Sequence, residues 1–482
     1  MMLGRKQLLI GGEWRDAEGG KTMPVVNPAT EEVIAEVASA SKADVDAAVA
    51  AARAAKNGAW GEMAARDRGR LIWKLGEKLM EQADEIARLE TLHNGKPIME
   101  SRQIEIPMAA ECLQYFAGWA DKIQGETLPV RGKAFVYTQR EPLGVVAAIV
   151  PWNFPLLLAM WKVAPALAAG NTVILKPASQ TPLTALALGD LAMKVGFPAG
   201  VLNVITGPGS TVGQAIVEHP GIDKVAFTGD TSTGRGIMRS AADTLKHITL
   251  ELGGKSPNIV FPDADVDAAV RGATVGIFYG KGEVCAAGSR LLVDKSIKDQ
   301  FIAKVAERTK KMVPGDPLDP KTRLGAISSK AQLERVLGYI ETAKKEGASL
   351  VAGGSRADIG TGKGYFLQPT VFADVTPTMT IAREEIFGPV LAAIEFADVD
   401  EAIARANDSI YGLAAGVWTK DIKKAHYVAS KLQAGTVWVN TYNVYDTAVP
   451  FGGYKQSGFG REMSQHALDY YTQIKAVWVD LS

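Results

Sequence analysis

Short apolar, β-branched runs punctuate the middle of the chain, and a longer stretch with helical spacing follows each one. The runs cover 145–150, 172–175, 201–205 and 224–227, and the helical stretches cover 156–169, 183–195, 211–217 and 233–242. Strands buried on both faces need continuous apolar runs of this kind. Their alternation with helices predicts βαβ units and a parallel sheet covered on both sides. Ligands of such sheets sit at the carboxyl ends of the strands. Here those ends are Pro151-Trp152-Asn153, Lys176-Pro177, Thr206-Gly207-Pro208-Gly209 and Thr228-Gly229, all turns that suit a cofactor groove.

The pattern restarts after Glu251-Leu252-Gly253-Gly254, with helices predicted over 265–277, 296–311, 330–345, 398–406 and 423–432 and strands including 415–419 and 436–440. This predicts a second α/β domain, with Gly253-Gly254 near its hinge. Ahead of the first sheet lies a polar opening. A helix then starts at Ser41, with Asp44 three residues on, and runs to Lys56. A longer helix is predicted over 66–93, stopped by Asn94-Gly95-Lys96-Pro97. A third, over 108–122, buries Cys112, Leu113, Phe116 and Trp119. Segments 134–140 and 473–480 alternate like antiparallel strands outside both sheets, a ribbon too small to be stable unless a partner subunit covers it. The expected division is 1–123 with 143–253 for a dinucleotide-binding domain, 254–456 for a catalytic domain, and 124–142 with 457–482 for an oligomerisation arm.

At 482 residues, 47% hydrophobic and 22% charged, the composition is that of a multi-domain globular enzyme. Basic and acidic residues number 53 each, which leaves no net charge to attract nucleic acid or an anionic membrane. Two cysteines, Cys112 and Cys285, cannot form a disulfide framework and fit a reducing compartment. The apolar stretch near the start is too short for a signal peptide, and no apolar run reaches the roughly 18 residues of a membrane span, so a cytoplasmic protein is expected. The five histidines show no metal-ligand spacing, and the Gly-x-Ser-x-Gly elbow of serine hydrolases is absent.

Three side chains carry candidate chemistry. Cys285 follows an apolar helix and sits among small residues in Gly282-Glu283-Val284-Cys285-Ala286-Ala287-Gly288; it is either an accessible nucleophile or an inert buried thiol. Glu251 closes a strand between Leu250 and Leu252, where apolar surroundings raise a carboxyl pKa toward that of a general base. The alternative is an ordinary strand-end carboxylate. Asn153, between Pro151 and Pro155, either donates to an oxyanion or caps the following helix. Gly207, Gly209 and Gly213, and then Gly229 and Gly234, open two helices without matching the Gly-x-Gly-x-x-Gly fingerprint.

These segments, with Lys176-Pro177-Ala178, Phe227-Thr228-Gly229, Glu384-Glu385-Ile386-Phe387-Gly388-Pro389 and Pro450-Phe451-Gly452-Gly453-Tyr454-Lys455, resemble the aldehyde dehydrogenase superfamily over nearly the full chain. The resemblance implies a non-acylating, NAD- or NADP-dependent enzyme. Cys285 attacks the aldehyde, and the Asn153 amide and the Cys285 backbone N–H hold the resulting oxyanion. Glu251 activates the water that hydrolyses the thioester. It also implies that Lys162 and Glu462 form a proton relay behind Glu251, the alternative being a surface ion pair. For the cofactor it implies Lys176 and Ser179 at the adenosine ribose and Gly209, Gly213 and Gly229 near the phosphates. Glu385 falls at the nicotinamide ribose and Phe387 near the nicotinamide ring. Val150, Trp152, Phe227, Thr228 and Leu252 complete the cofactor set.

Two departures from the family pattern stand out. Ser179 replaces the glutamate of strongly NAD-selective relatives, so nothing repels a 2′-phosphate and NADP is tolerated. Asp230 stands where many relatives have serine; it either turns away from the pyrophosphate or meets a cation such as Arg235. Residues aligned with the substrate tunnel are Met108, Leu158, Trp161, Tyr279, Tyr445 and Phe451, an apolar and aromatic wall that suits medium-chain or aromatic aldehydes better than semialdehyde acids or betaine-type aldehydes. A homodimer or homotetramer is expected. The competing readings are a coenzyme A-acylating enzyme, against which Glu251 argues, and a non-catalytic cofactor-binding scaffold.

Overall fold

Five parallel strands form the heart of the first sheet, in the spatial order His247–Glu251, Lys224–Thr228, Val145–Ile149, Thr172–Lys176 and Leu202–Val204. Every residue of Lys224–Thr228, Val145–Ile149 and Thr172–Lys176 is buried, which is why these segments read as unbroken apolar runs. The computed structural model describes residues 3–482. The helix Pro155–Ala168 is also buried along its whole length, packed between this sheet and the helix Ile106–Trp119.

Both edges of the sheet are antiparallel additions. On one side the hairpin Leu8–Ile10 and Glu13–Arg15 extends it beyond Leu202–Val204. The opening stretch, read as merely polar, therefore contains strands, among them Thr22–Asn27 and Glu32–Ala38, mostly too short or too exposed for a period-two signal. On the other side Gly458–Phe459, expected with the arm, pairs with His247–Glu251. Gly458 sits at φ +114, and a Cβ there would overlap the Leu250 carbonyl, so glycine alone closes this edge.

The second sheet has seven strands, in the order Ser349–Ala352, Thr370–Ala373, Val390–Phe396, Arg290–Asp294, Pro257–Val260, Ala414–Trp418 and Thr436–Val439. All neighbours are parallel except the first pair. The fold is thus the expected α/β arrangement of a doubly wound cofactor sheet, a second α/β sheet and a separate ribbon. In the ribbon Thr472–Asp480 pairs antiparallel with Ala134–Pro142 along its whole length, and Thr127–Leu128 adds a third strand. Its apolar side chains Phe135, Ile474 and Trp478 are exposed. No helix among the described residues is long and apolar enough to cross a membrane.

Three predicted helices differ from the observed ones. The stretch 66–93 is two helices, Ala65–Glu81 and Ala83–Asn94, because Gln82 leaves helical geometry (φ −106°, ψ 18°). Asp84 and Glu85 then occupy the first turn of the new helix, where carboxylates favour an N-terminus. The helix predicted over 108–122 is Ile106–Trp119, entered through a wide turn at Ser101–Glu105, and Trp119 is only half-buried. The buried Ser101 and Glu105 side chains anchor that turn to Thr91 (3.0 Å) and Lys96 (2.5 Å). The helix predicted over 211–217 is a wide turn, Gly209–Gly213, continued by Gln214–Glu218.

Ser41 does begin a helix, Lys42–Asn57. Its hydroxyl accepts from the Asp44 N–H, and the Asp44 carboxylate accepts from the Ser41 N–H (2.8 Å) and the Glu18 N–H (3.0 Å). Asp44→Ala removes this buried cap at a cost of about 1 kcal/mol. Hydrogen exchange of the first-turn amides of that helix is expected to rise several-fold, while Asp44→Asn leaves it nearly unchanged.

Candidate active site

Cys285 arrives at the end of a strained turn. The helix Val266–Phe278 runs into Tyr279–Gly282, where Gly280, Lys281 and Gly282 all have positive φ (55°, 62°, 73°). Three left-handed residues in a row reverse the chain and deliver a half-buried Cys285 to the junction of the two sheets. Gly254, from the segment that joins the sheets, lies against it, and a Cβ at 254 would overlap the Cys285 carbonyl. Burial, followed by the charges of Glu385 and Glu251, pushes the thiol up to about 12, so the sulfur needs a proton acceptor to become a thiolate.

Glu251 ends the strand His247–Glu251 and is 4% exposed. Neither carboxyl oxygen has a hydrogen-bond partner among the described residues, and Gly452 leaves room beside Oε1, which a Cβ would approach to 2.9 Å. Burial and then the Glu462 charge raise its pKa well above the carboxylate range, as its apolar neighbours predict. Behind it Lys162, on the buried helix Pro155–Ala168, pairs with Glu462 and donates to the Thr228 hydroxyl (2.7 Å). Both members of the pair are buried, so the surface-pair alternative falls. Glu462 is held by reciprocal backbone bonds with Phe451 (2.8 and 2.9 Å).

Asn153 does not cap the following helix; Phe154 occupies that position and makes no side-chain cap. The Asn153 amide instead donates to the Glu283 carbonyl at 2.9 Å, two residues before Cys285. Its second N–H remains available to a ligand.

A cavity of about 380 Å³ is lined by Cys285, Glu251 and Thr228 and otherwise by apolar and uncharged side chains; Asn153, Lys162 and Glu462 lie outside its lining. All six residues assigned to the substrate tunnel, Met108, Leu158, Trp161, Tyr279, Tyr445 and Phe451, line it. Trp161, Tyr445 and Phe451 form an aromatic cluster with centroids 5.3–6.3 Å apart. The sequence reading missed Leu157, one helical turn before Trp161, which the period of that helix would have supplied. It also missed Ile104 and Val275, exposed apolar residues from separate helical segments, and Asn443 and Val444, which directly precede the assigned Tyr445.

The strand ends beside this cavity fit a dinucleotide. Lys176 is 3% exposed, donates only to the Pro177 carbonyl (3.0 Å), and is lowered to about 8 by burial, so two of its donors remain for a ligand. Gly209 faces open space, and Gly213 lies beside the Lys176 side chain. Ser179 donates to the Gly207 carbonyl (3.1 Å). The Phe227 ring lies where a Cβ on Gly229 would fall, and Leu252 packs against Gly234 in the same way. Val150 is buried, with its N–H on the Lys176 carbonyl (3.1 Å). Glu385 accepts from the Gly254 N–H (3.0 Å) and is raised to about 7 by burial. Phe387, at φ 59°, sets its ring edge-on to Trp152 at 5.2 Å.

Asp230 is engaged by its own helix. Its carboxylate caps the helix Thr231–Ala241, accepting from the N–H groups of Ser232 (2.9 Å) and Thr233 (3.0 Å) and from both hydroxyls. These bonds outweigh burial and hold its pKa below the usual range. Arg235 is not its partner and bonds Gln456.

The family model described as the aldehyde dehydrogenase family matches residues 14–477. The chain belongs to the aldehyde dehydrogenase family. It is 51% identical to human mitochondrial aldehyde dehydrogenase, over 98% of this chain and 92% of that one. The NAD+ complex of Bacillus cereus aldehyde dehydrogenase superposes with a TM-score of 0.98 at 50% identity, covering 99% of this chain and 97% of that one. The P. syringae indole-3-acetaldehyde dehydrogenase AldA, solved as a mutant in complex with NAD+ and IAA, has a TM-score of 0.97 at 46% identity, again over 99% and 97%. The protein is therefore an aldehyde dehydrogenase, and an oxidoreductase.

In this dehydrogenase, Glu462→Gln removes the charge that opposes ionisation of Glu251 and leaves the Lys162 ammonium to favour it. Both changes lower the Glu251 pKa, so its carboxyl band in pH-difference infrared spectra, assigned with Glu251→Gln, is expected to titrate at lower pH. An unchanged or higher midpoint contradicts the coupling.

Proposed function

We propose that this aldehyde dehydrogenase oxidises apolar medium-chain or aromatic aldehydes to carboxylic acids in the cytoplasm, through a covalent intermediate on Cys285. The observation that carries the reading is that Cys285 and Glu251 line one apolar cavity in which Glu251 is the sole carboxylic or basic side chain among the described residues. Glu251 takes the thiol proton, and the sulfur adds to the aldehyde carbon. The spare N–H of Asn153 and the Cys285 backbone N–H hold the oxygen that becomes negative, a donor of this kind contributing about 3–4 kcal/mol to the transition state. When bound, NAD or NADP supplies the two-electron acceptor for the oxidation. Cys285 is then an acyl thioester, and Glu251 removes a proton from the water that hydrolyses it. Glu462 and Lys162 lead the thiol proton away before hydrolysis, which leaves Glu251 a carboxylate again, and the water's proton after it. Lys176 and Ser179 would hold the adenosine ribose, Glu385 the nicotinamide ribose, and Gly209, Gly213 and Gly229 the approach to the phosphates.

The aromatic wall supports the substrate class. A substrate carboxylate would meet no cation among the described residues of the cavity, whereas a flat ring finds Trp161, Tyr445 and Phe451. The indole-3-acetaldehyde enzyme among the structural neighbours supports the same class. The ribbon, with Ile474 and Trp478 exposed, supports assembly into a homodimer or homotetramer.

The deciding assay follows the absorbance of reduced cofactor with hexanal, benzaldehyde, succinate semialdehyde and betaine aldehyde. Hexanal and benzaldehyde are expected to have the highest kcat/KM, and Cys285→Ala to abolish turnover. Turnover of the semialdehyde or betaine aldehyde alone overturns the substrate class, and an active Cys285→Ala overturns the mechanism. Ser179→Glu is expected to reduce kcat/KM with NADP by an order of magnitude or more while sparing NAD, because a carboxylate repels the 2′-phosphate; equal effects on both cofactors contradict the role given to Ser179.

A further inference from the structure

A closed ring of buried polar contacts ties the Asn153 turn to the Cys285 loop. The Asn153 amide donates to the Glu283 carbonyl (2.9 Å), and the Glu283 carboxylate pairs with the Lys281 ammonium (2.7 Å). Lys281 donates to the side-chain oxygen of Asn94 (2.9 Å) and to its backbone carbonyl (2.9 Å). The Asn94 amide nitrogen donates in turn to the Trp152 carbonyl at 2.7 Å, one residue from where the ring began. Asn94, Lys281 and Glu283 are each no more than 1% exposed.

Two features say that this ring does more than fill space. Lys281 is a non-glycine residue held at φ 62° between two left-handed glycines, a geometry that persists only where surrounding contacts enforce it. Asn94, at the C-terminal end of the helix Ala83–Asn94, uses both ends of its side-chain amide, one on each loop, and so makes a second bridge beside the direct Asn153–Glu283 bond. An apolar residue would fill the volume but could not fix the Trp152-Asn153 backbone against Lys281-Gly282-Glu283.

We propose that Asn94 and Lys281 are positioning residues that set the Asn153 amide relative to Cys285. This rests on the reading of Cys285 as nucleophile and Asn153 as oxyanion donor. In this role Asn94 touches neither substrate nor cofactor; it acts through the Trp152 carbonyl, and Lys281 acts through Glu283. Misplacing the donor by a fraction of an ångström weakens the interaction that matters only as charge develops on the aldehyde oxygen.

Asn94→Asp tests this directly, because it keeps the acceptor for Lys281 and removes the donor to the Trp152 carbonyl. The readout is the rapid-mixing burst of reduced cofactor with hexanal, alone and in an Asn153→Ala background, with cofactor Kd measured in parallel. The expected result is a burst slowed on the order of tenfold to a hundredfold with cofactor Kd unchanged. In the Asn153→Ala background the same change is expected to alter the residual rate by no more than about twofold. A burst in Asn94→Asp at the wild-type rate, or an equal loss in both backgrounds, overturns the proposal. A burst that survives Cys285→Ala, or one that Asn153→Ala leaves at the wild-type rate, overturns the reading of the site itself, and the positioning role with it. Should Asn94→Asp not fold, Lys281→Met combined with Glu283→Gln removes the ring's two charges together and runs through the same comparison, since neither charge is left buried alone.

Discussion

Withdrawing Glu251 from water is the constraint on which the rest of the site depends. A carboxyl at the end of an interior strand, with neither oxygen bonded, is costly to ionise, and burial raises its pKa well above the carboxylate range. The same dry environment raises the Cys285 thiol. Two groups that would each be ordinary in water are thus both shifted upward by the same loss of solvent. The Lys162–Glu462 pair follows from the same condition, because a buried glutamate next to a second one persists only with a cation at hand.

Cys285 belongs to the second sheet's side of the molecule and Glu251 and Asn153 to the first. Their meeting depends on the carboxyl ends of the first sheet's strands facing the segments that lead into the second sheet's strands, and on loops stiff enough to hold their places across the junction. Gly253 and Gly254 form part of that junction. A side chain on the first would overlap Glu385 and one on the second the Cys285 carbonyl, so the backbone approach there admits only hydrogen. The buried ions around Asn94, Lys96 and Lys281 serve the same end from below. Lys96 bonds the Asn153 carbonyl (2.7 Å) and Glu105 (2.5 Å), so even the wide turn at Ser101–Glu105 is linked to the Asn153 loop.

Legibility in the sequence followed the strength of local signals. The helices Leu183–Val195 and Lys330–Lys345 match their predicted limits, because apolar period and flanking signals coincide there. The central strands match to within a residue or two because burial on both faces leaves no polar interruption. The break at Gln82 escaped because no glycine or proline marks it and the helical pattern continues on both sides. The N-terminal strands escaped because most are too short or too exposed to show a period of two, although several pair with close neighbours in the chain.

Residue chemistry and strand position were local facts: a thiol among small residues, a carboxylate between leucines at a strand end, an asparagine between prolines at a sheet's carboxyl edge. The sequence by itself determined these, together with the alternation that makes two parallel sheets. What it left open was settled by distance in space. Asp230 caps its own helix instead of meeting Arg235, Lys162 and Glu462 meet in the interior, and Asn153 turns to Glu283 and not to the helix after it. Each outcome depends on which groups are brought together from far apart in the chain and on how much water is left between them. Neither quantity exists until the two sheets have packed.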